Sequence, residues 1–308
     1  SDSDMHTLGY NFKPWVADKA IAEGPAILDY IHEAASEHSV EKHIRYRQRV
    51  TRASWSSEDA TWTVRTQDPE GGNTTSVTCN FLLMCSGYYR YKEGYTPDFP
   101  GRDRFQGQVV HPQLWPEDLD YEGKQVVIIG SGATAVTILP VMAEQAAHVT
   151  MLQRSPTYMF SWPFKDAFAN FLRKILPDRW AYAITRWRNV LMQEWIYKKS
   201  RADPEWVRRK LLDRIRDELG PDFDIARHFT PTYNPWDQRL CLVPDSDLFE
   251  SIKAGKSSIV TDQIETFTEH GIRLKSGQEL AADIIVTATG LNLVAMGEAA
   301  FEVDGAPV

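Results

Sequence analysis

The fold class that this sequence predicts is α/β, built on a parallel sheet, and three observations predict it. Gln125–Ile129 is an unbroken apolar strand run that meets a glycine turn, then a helical stretch, then a second strand run at His148–Gln153: one βαβ unit in about 30 residues. Asp283–Gly290 is another almost continuous apolar run ending at a glycine, the pattern of a strand buried on both faces. Past residue 233 a short helix followed by further strands resumes the α/β pattern. A chain of 308 residues has length for about two domains, and 43% hydrophobic content supplies a full core.

Each element has its own signal. In the opening 43 residues, Pro25–Ala35 reads as a helix with Ile27, Leu28, Ile31 and Ala35 on one face. From Ile44 to Thr66 apolar and polar residues alternate, which predicts antiparallel strands, and Gly71-Gly72 marks a turn. Val77–Cys85 ends in an apolar run before Ser86-Gly87, so we expect a buried parallel strand whose carboxyl end meets a ligand. Residues 88–124 are loop-rich.

Residues 162–218 change character. Phe164, Phe168, Phe171, Leu172 and Ile175 fit one helical stripe, and Trp180, Ile184, Trp187, Leu191 and Trp195 fit another. Asp203-Pro204 supplies an N-cap and a proline at the first position of a third helix. This window holds 14 Lys/Arg against 8 Asp/Glu. We read it as a helical insertion within the α/β domain, its aromatic stripes expected in the core, its basic side a candidate membrane or partner surface. Beyond residue 233 the α/β pattern resumes, with a short helix at Asp247–Ala254 and strands near Ile259, Ile264 and Ile272.

Composition narrows the function. With 34 Lys/Arg against 42 Asp/Glu the net charge is −8, which gives no electrostatic reason to expect nucleic acid as a partner. No apolar run approaches the ~20 residues of a spanning helix, and the acidic start, Ser1 to Asp4, lacks a signal-peptide core; a cytoplasmic protein is expected. Cys79, Cys85 and Cys241 form neither a disulfide framework nor a zinc site nor a C-x-x-C pair, and are expected as buried thiols; no metal site is expected.

The chemistry lies at the βαβ unit. Gly130-x-Gly132-x-x-Ala135 between strand and helix is a dinucleotide fingerprint: the first glycine permits the turn, the second lets backbone approach a pyrophosphate, and the small Ala135 allows close packing. The helix start (Ser131, Ala133, Thr134) offers free N–H groups to the phosphates. NAD sites place a carboxylate at the end of the second strand. Here Arg154 stands 24 residues after Gly130, followed by Ser155, and a guanidinium clamps a 2′-phosphate, which favours NADPH over NADH.

Upstream lies Phe105-x-Gly107-x-x-x-His111-x-x-x-Trp115-Pro116. This spacing resembles the fingerprint of Baeyer–Villiger monooxygenases, among the class B flavoprotein monooxygenases, and the resemblance extends over essentially the whole chain. It is closest to the ethionamide-activating mycobacterial type, through stretches such as Met151–Tyr158, Tyr233–Pro244 and Thr287–Asn292. The resemblance implies an FAD- and NADPH-dependent enzyme in which O₂ adds to reduced flavin, and the resulting C4a-peroxide converts a ketone to an ester or oxidises sulfur. It implies an active-site arginine at Arg239, oriented by an acidic partner at Asp2. A fixed cation there favours the anionic oxidant. It further implies a role for His111 in domain geometry and NADPH handling, backbone contacts from Val50 to the FAD adenine, and Met5 near the flavin ring.

On this reading residues 1–102 are part of an FAD-binding domain. Residues 103–290 form a Rossmann-like, three-layer NADP-binding domain interrupted by helices at 162–233, and 291–308 return to the FAD domain. Two departures stand out. Gln238 occupies a position where some members carry a lysine that touches the 2′-phosphate, and no G-x-G-x-x-G for FAD is present. The sequence therefore reads as an internal fragment, inactive alone. Two other readings stay open: an N- or S-oxygenating flavin-containing monooxygenase, and a non-catalytic NADP-binding module.

Overall fold

The computed structural model describes residues 4–308. They fall into two compact units: the described residues up to Tyr30 together with Thr96–Thr289, and Ile31–Tyr95 together with Gly290–Val308.

The first unit centres on a five-stranded, wholly parallel sheet. Its spatial order is Ser257–Thr261, His148–Gln153, Gln125–Ile129, Ile284–Thr287, Gln108–Val110. Alternation along the central strands builds three layers. Val126 and Ile128 face one way, into a core with Ala135, Val136 and Leu139 of the helix Ala133–Met142. Val127 and Ile129 face the other way, into a core with Phe267, Ile272, Leu274 and Leu280. Those residues come from an antiparallel meander, Ile264–Thr268, Gly271–Leu274 and Glu279–Ala281, which covers the second face. The strand residues 126–129 are each less than a tenth exposed, and burying such side chains contributes roughly 1.5–3 kcal/mol apiece. This is why the strands read as apolar on both faces.

A two-stranded parallel ladder, Tyr158–Trp162 on Leu240–Pro244, brackets the helical segment. Between its strands run Ala167–Ile175, Asp178–Ala202, Pro204–Leu219 and the short Ile225–His228. Asp203 caps the third of these, its Oδ1 accepting from the Trp206 amide at 3.2 Å, with Pro204 in the first turn. The tryptophan stripe departs from expectation. Trp180, Ile184, Trp187, Leu191 and Trp195 are exposed, and the buried residues of that helix are Ala181, Tyr182, Thr185, Asn189 and Ser200. Phe168, Phe171 and Ile175 are exposed as well. The tryptophan stripe is not core, whereas in the first stripe Leu172 is buried and Phe164 half-buried; the small, polar side of the long helix is the one that packs. Among the described residues no helix is long and apolar enough to cross a membrane.

The second unit carries a mixed sheet. Arg49–Ser56 pairs antiparallel with Thr61–Gln67 and parallel with Ala300–Val303, and Thr74–Cys79 forms one edge. The expected buried parallel strand at Val77–Cys85 is absent. Residues up to Cys79 form an antiparallel, largely exposed edge, and 80–88 hold no strand, with Phe81 and Leu83 exposed. An apolar run becomes a parallel strand only where neighbouring strands offer it a ladder, and none lies beside these residues among those described. Instead Tyr89–Gly94 pairs with Leu291–Leu293. Of the cysteines only Cys241 is buried; Cys85 is exposed and Cys79 half-buried. In the helix Gly24–Glu37 the buried residues are Tyr30 and Ala34, one position before the predicted Ile31 and Ala35, and the predicted Leu28 and Ile31 are exposed. Tyr30 is drawn in by a cluster of Met5, Trp15, Ala22 and Tyr182.

Candidate dinucleotide site

The turn after Gln125–Ile129 is made by Gly130 at φ +140°, a region that L side chains rarely enter. A Cβ there would also lie 2.4 Å from the Ala288 carbonyl oxygen. The clash arises because Ile129 pairs with Thr287, so the carboxyl ends of these two strands abut. The chain reaches His148–Gln153 on one side of the fingerprint strand and Ile284–Thr287 on the other, so Gly130 sits where the strand order reverses, the position at which open parallel sheets bind ligands.

Gly132 then caps the helix Ala133–Met142 with no side-chain hydrogen bond to its first amides. A Cβ at Gly132 would meet nothing nearer than Arg239 Nε at 4.0 Å. The N–H groups at the helix start therefore face open space and keep their capacity for an anion, the cradle a pyrophosphate requires.

Ser131 is buried and ties the turn to the segment behind it. Its Oγ donates to the Ser155 carbonyl at 3.1 Å and lies 3.0 Å from Thr157 Oγ1. Arg239 lies on the same pair of hydroxyls: its Nε donates to Thr157 Oγ1 at 3.1 Å and its Nη2 to Ser131 Oγ at 3.3 Å. The register explains the meeting. Tyr158 pairs with Leu240, so Thr157 and Arg239 stand side by side one step before the ladder. Tyr233 Oη donates to the Arg239 carbonyl at 3.1 Å, and Asp237 pairs with Arg201.

Arg154 is exposed directly after the second strand and, among the described residues, makes no hydrogen bond or ion pair. Behind it Gln153 is wholly buried, its Nε2 donating to the His228 carbonyl at 2.7 Å and to Thr261 Oγ1 at 2.8 Å. Burial, reinforced by Arg227, pushes the His228 imidazole below its ordinary range.

The structure thus brings Gly130, Ser131, Gly132, Ala133, Thr134, Ala135, Ser155 and Arg239 to one turn, with Arg154 beside them. His111 follows the edge strand Gln108–Val110, which flanks Ile284–Thr287, and its Nδ1 accepts from the Gln113 amide at 3.2 Å. The fingerprint tryptophan, Trp115, packs against the core on the helix side of the sheet. Met5 is not brought to the turn; it is buried with Trp15, Ala22, Tyr30 and Tyr182. Val50 lies in the second unit, paired with Thr66 next to a bulge. Asp2 lies outside the described residues. Asp4, two positions on, caps the helix Met5–Leu8 and accepts from Asn189 Nδ2 at 3.0 Å. Thr157 and Gln153 were missed as site residues. The Gln-Arg-Ser-Pro-Thr string following the second strand was their one signal. No group of three or more His, Cys, Asp or Glu able to hold a metal is found among the described residues.

With this geometry in place, comparison with known proteins decides the family. Residues 20–295 match the flavin-binding monooxygenase-like (FMO-like) family. The chain belongs to it. It is 51% identical over its whole length to the FAD-containing monooxygenase EthA of Mycobacterium tuberculosis, of which the match covers 63%. It is 53% identical to MymA of the same species, over 99% of this chain and 62% of that protein. Among solved structures, an oxidized steroid monooxygenase bound to NADP superposes with TM-score 0.76 at 25% identity, covering 98% of this chain and 64% of that one. The chain thus spans less than two thirds of the length of the relatives it matches.

Proposed function

We propose that the protein containing this chain is an FAD- and NADPH-dependent monooxygenase of Baeyer–Villiger type, converting a ketone to an ester or lactone with O₂ and also open to sulfur oxidation. Family membership supports the flavin chemistry. The observation that carries the finer reading is Arg239, a permanent cation fastened to the nucleotide turn through Ser131 and Thr157. The NADPH reading rests on the uncapped helix start at Gly132 and on Arg154, whose donors are uncommitted among the described residues. On this proposal the Ala133–Ala135 amides hold the pyrophosphate and Arg154 with Ser155 holds the 2′-phosphate. His111 orders the loop between the edge strand and Trp115, and Asp2 orients Arg239. When bound, NADPH supplies hydride and FAD supplies oxygen activation. The contribution of this chain is to orient the nicotinamide end beside Arg239 and to favour negative charge there. The sequence holds one nucleotide fingerprint, and the backbone contact of Val50 with the FAD adenine rests on the family resemblance alone. Residues 1–102 and 291–308 are proposed as its partial FAD domain, 103–290 as its NADP domain, and the cytoplasm as its location.

The test is Arg239→Ala in the whole protein. Ester formation from a cyclic ketone should fall about 100-fold or more, while NADPH still reduces the flavin. Ester yield like that of the unaltered enzyme would remove the assignment. A sulfide assayed beside the ketone separates an N- or S-oxygenating enzyme, which has little need of Arg239.

A further inference from the structure

The long helix Asp178–Ala202 is inverted relative to an ordinary packed helix. Its inward side carries Ala181, Thr185, Asn189 and Ser200, while its outward side presents Trp180, Ile184, Trp187, Leu191 and Trp195, between 41% and 66% exposed. Of the inward polar groups, Asn189 bonds Asp4 and Ser200 Oγ donates to the Ile196 carbonyl at 2.8 Å, while the buried Thr185 Oγ1 has no hydrogen-bond partner among the described residues. The preceding helix, Ala167–Ile175, adds Phe171 and Ile175 to the outward surface. The Arg188 guanidinium lies 4.6 Å from the centre of the Phe168 ring, so the two apolar faces share a border. Three tryptophans exposed to this degree alone present roughly 400 Å² of largely apolar surface, at the upper end of what a free monomer shows.

Charge selects the occupant. Residues 162–218 hold 14 Lys/Arg against 8 Asp/Glu, while the rest of the chain holds 20 against 34. Beside the apolar face Asp166 and Glu194 are paired with Arg188 and Lys198, while Asp178 is exposed with no ion-pair partner among the described residues. Lys174 and Arg179 are exposed and have no ion-pair partner among the described residues. Self-pairing of two copies would press two cationic surfaces together, whereas an anionic lipid surface complements both features: tryptophan settles at headgroup depth and lysine and arginine meet phosphate. We propose that the face formed by residues 167–198 docks on an anionic bilayer. This rests on the surface alone and is independent of the cofactor reading.

The experiment uses the full-length protein and vesicles of phosphatidylcholine with or without phosphatidylglycerol. Binding is expected to the anionic vesicles at low salt, with a blue shift of tryptophan emission, and to weaken at high salt. Lys174→Glu with Arg179→Glu should lower the partition coefficient roughly tenfold or more. Trp187→Ser with Trp195→Ser should lower it comparably and remove the shift, both variants keeping the melting temperature of the parent. Equal binding to neutral and anionic vesicles, or none to either, would overturn the proposal. So would a dimer that Trp187→Ser dissociates, or failure of an aqueous quencher to reach these tryptophans, since either result means that protein already covers the face.

Discussion

Arg154 and Arg239 carry the same permanent charge but spend it differently. Arg239 has two of its donors engaged by Ser131 and Thr157, which fixes where its charge lies. Arg154 commits no donor among the described residues, so a ligand phosphate can take the full bidentate fork. Removing the first should damage chemistry and removing the second should damage recognition. In the whole protein, Arg154→Ala is expected to raise the KM for NADPH about 10- to 100-fold, with kcat for saturating NADPH and the KM for NADH little changed. An unchanged ratio of NADPH to NADH use in that variant would show that Arg154 does not read the 2′-phosphate. If Arg154 reads the 2′-phosphate as proposed, the exposed, neutral Gln238 adds no second cation to that task.

At the scale of elements, the glycine turn is the part of the site with least tolerance. Gly130→Ala would force a methyl group to within 2.4 Å of the Ala288 carbonyl while holding φ at +140°, so both the turn and the ladder between Ile129 and Thr287 must shift. We expect a loss of roughly 2 kcal/mol or more in urea unfolding. Gly132→Ala meets open space and should cost far less stability while weakening nucleotide binding. Equal destabilisation by the two would refute this division of labour. The βαβ unit and the fingerprint were legible in the sequence because strands buried on both faces announce themselves as continuous apolar runs. The tryptophan stripe was legible as a helix but not as a surface: period 3.6 shows that residues share a face, not which way that face points. Val77–Cys85 misled for a related reason, since an apolar run does not reveal whether a partner strand is at hand. The contact of Arg239 with Thr157 depends on a pairing between strands some 80 residues apart, which no local pattern encodes. The family resemblance pointed to Arg239; only the register shows what holds it.

For the molecule as a whole, pH is the variable on which burial acts most directly. His6 is buried beside Asp4 at 3.7 Å, with its Nδ1 lacking a hydrogen-bond partner, and desolvation outweighs that carboxylate to push the imidazole below its ordinary value. His228, held through Nδ1 to Thr261 Oγ1 at 2.8 Å, is lowered in the same direction by burial and by Arg227. Both groups thus bind protons more weakly folded than unfolded. Stability rises with pH wherever the unfolded chain holds more protons, so their contribution is complete above the unfolded value near 6.5 and is lost as the pH falls below it. Half-buried Asp247, raised by desolvation, works in the opposite sense but in the carboxylate range, further into acid. The melting temperature should therefore be level from pH 8 to about 7 and fall between about 6.5 and 5. A variant carrying His6→Gln and His228→Gln should start lower, because the Thr261 contact is altered, yet show a flatter profile across that window. A parent profile that rises on acidification from pH 6.5, or a double variant with the same slope, would mean that these two imidazoles are not the groups that set the acid limit of the fold.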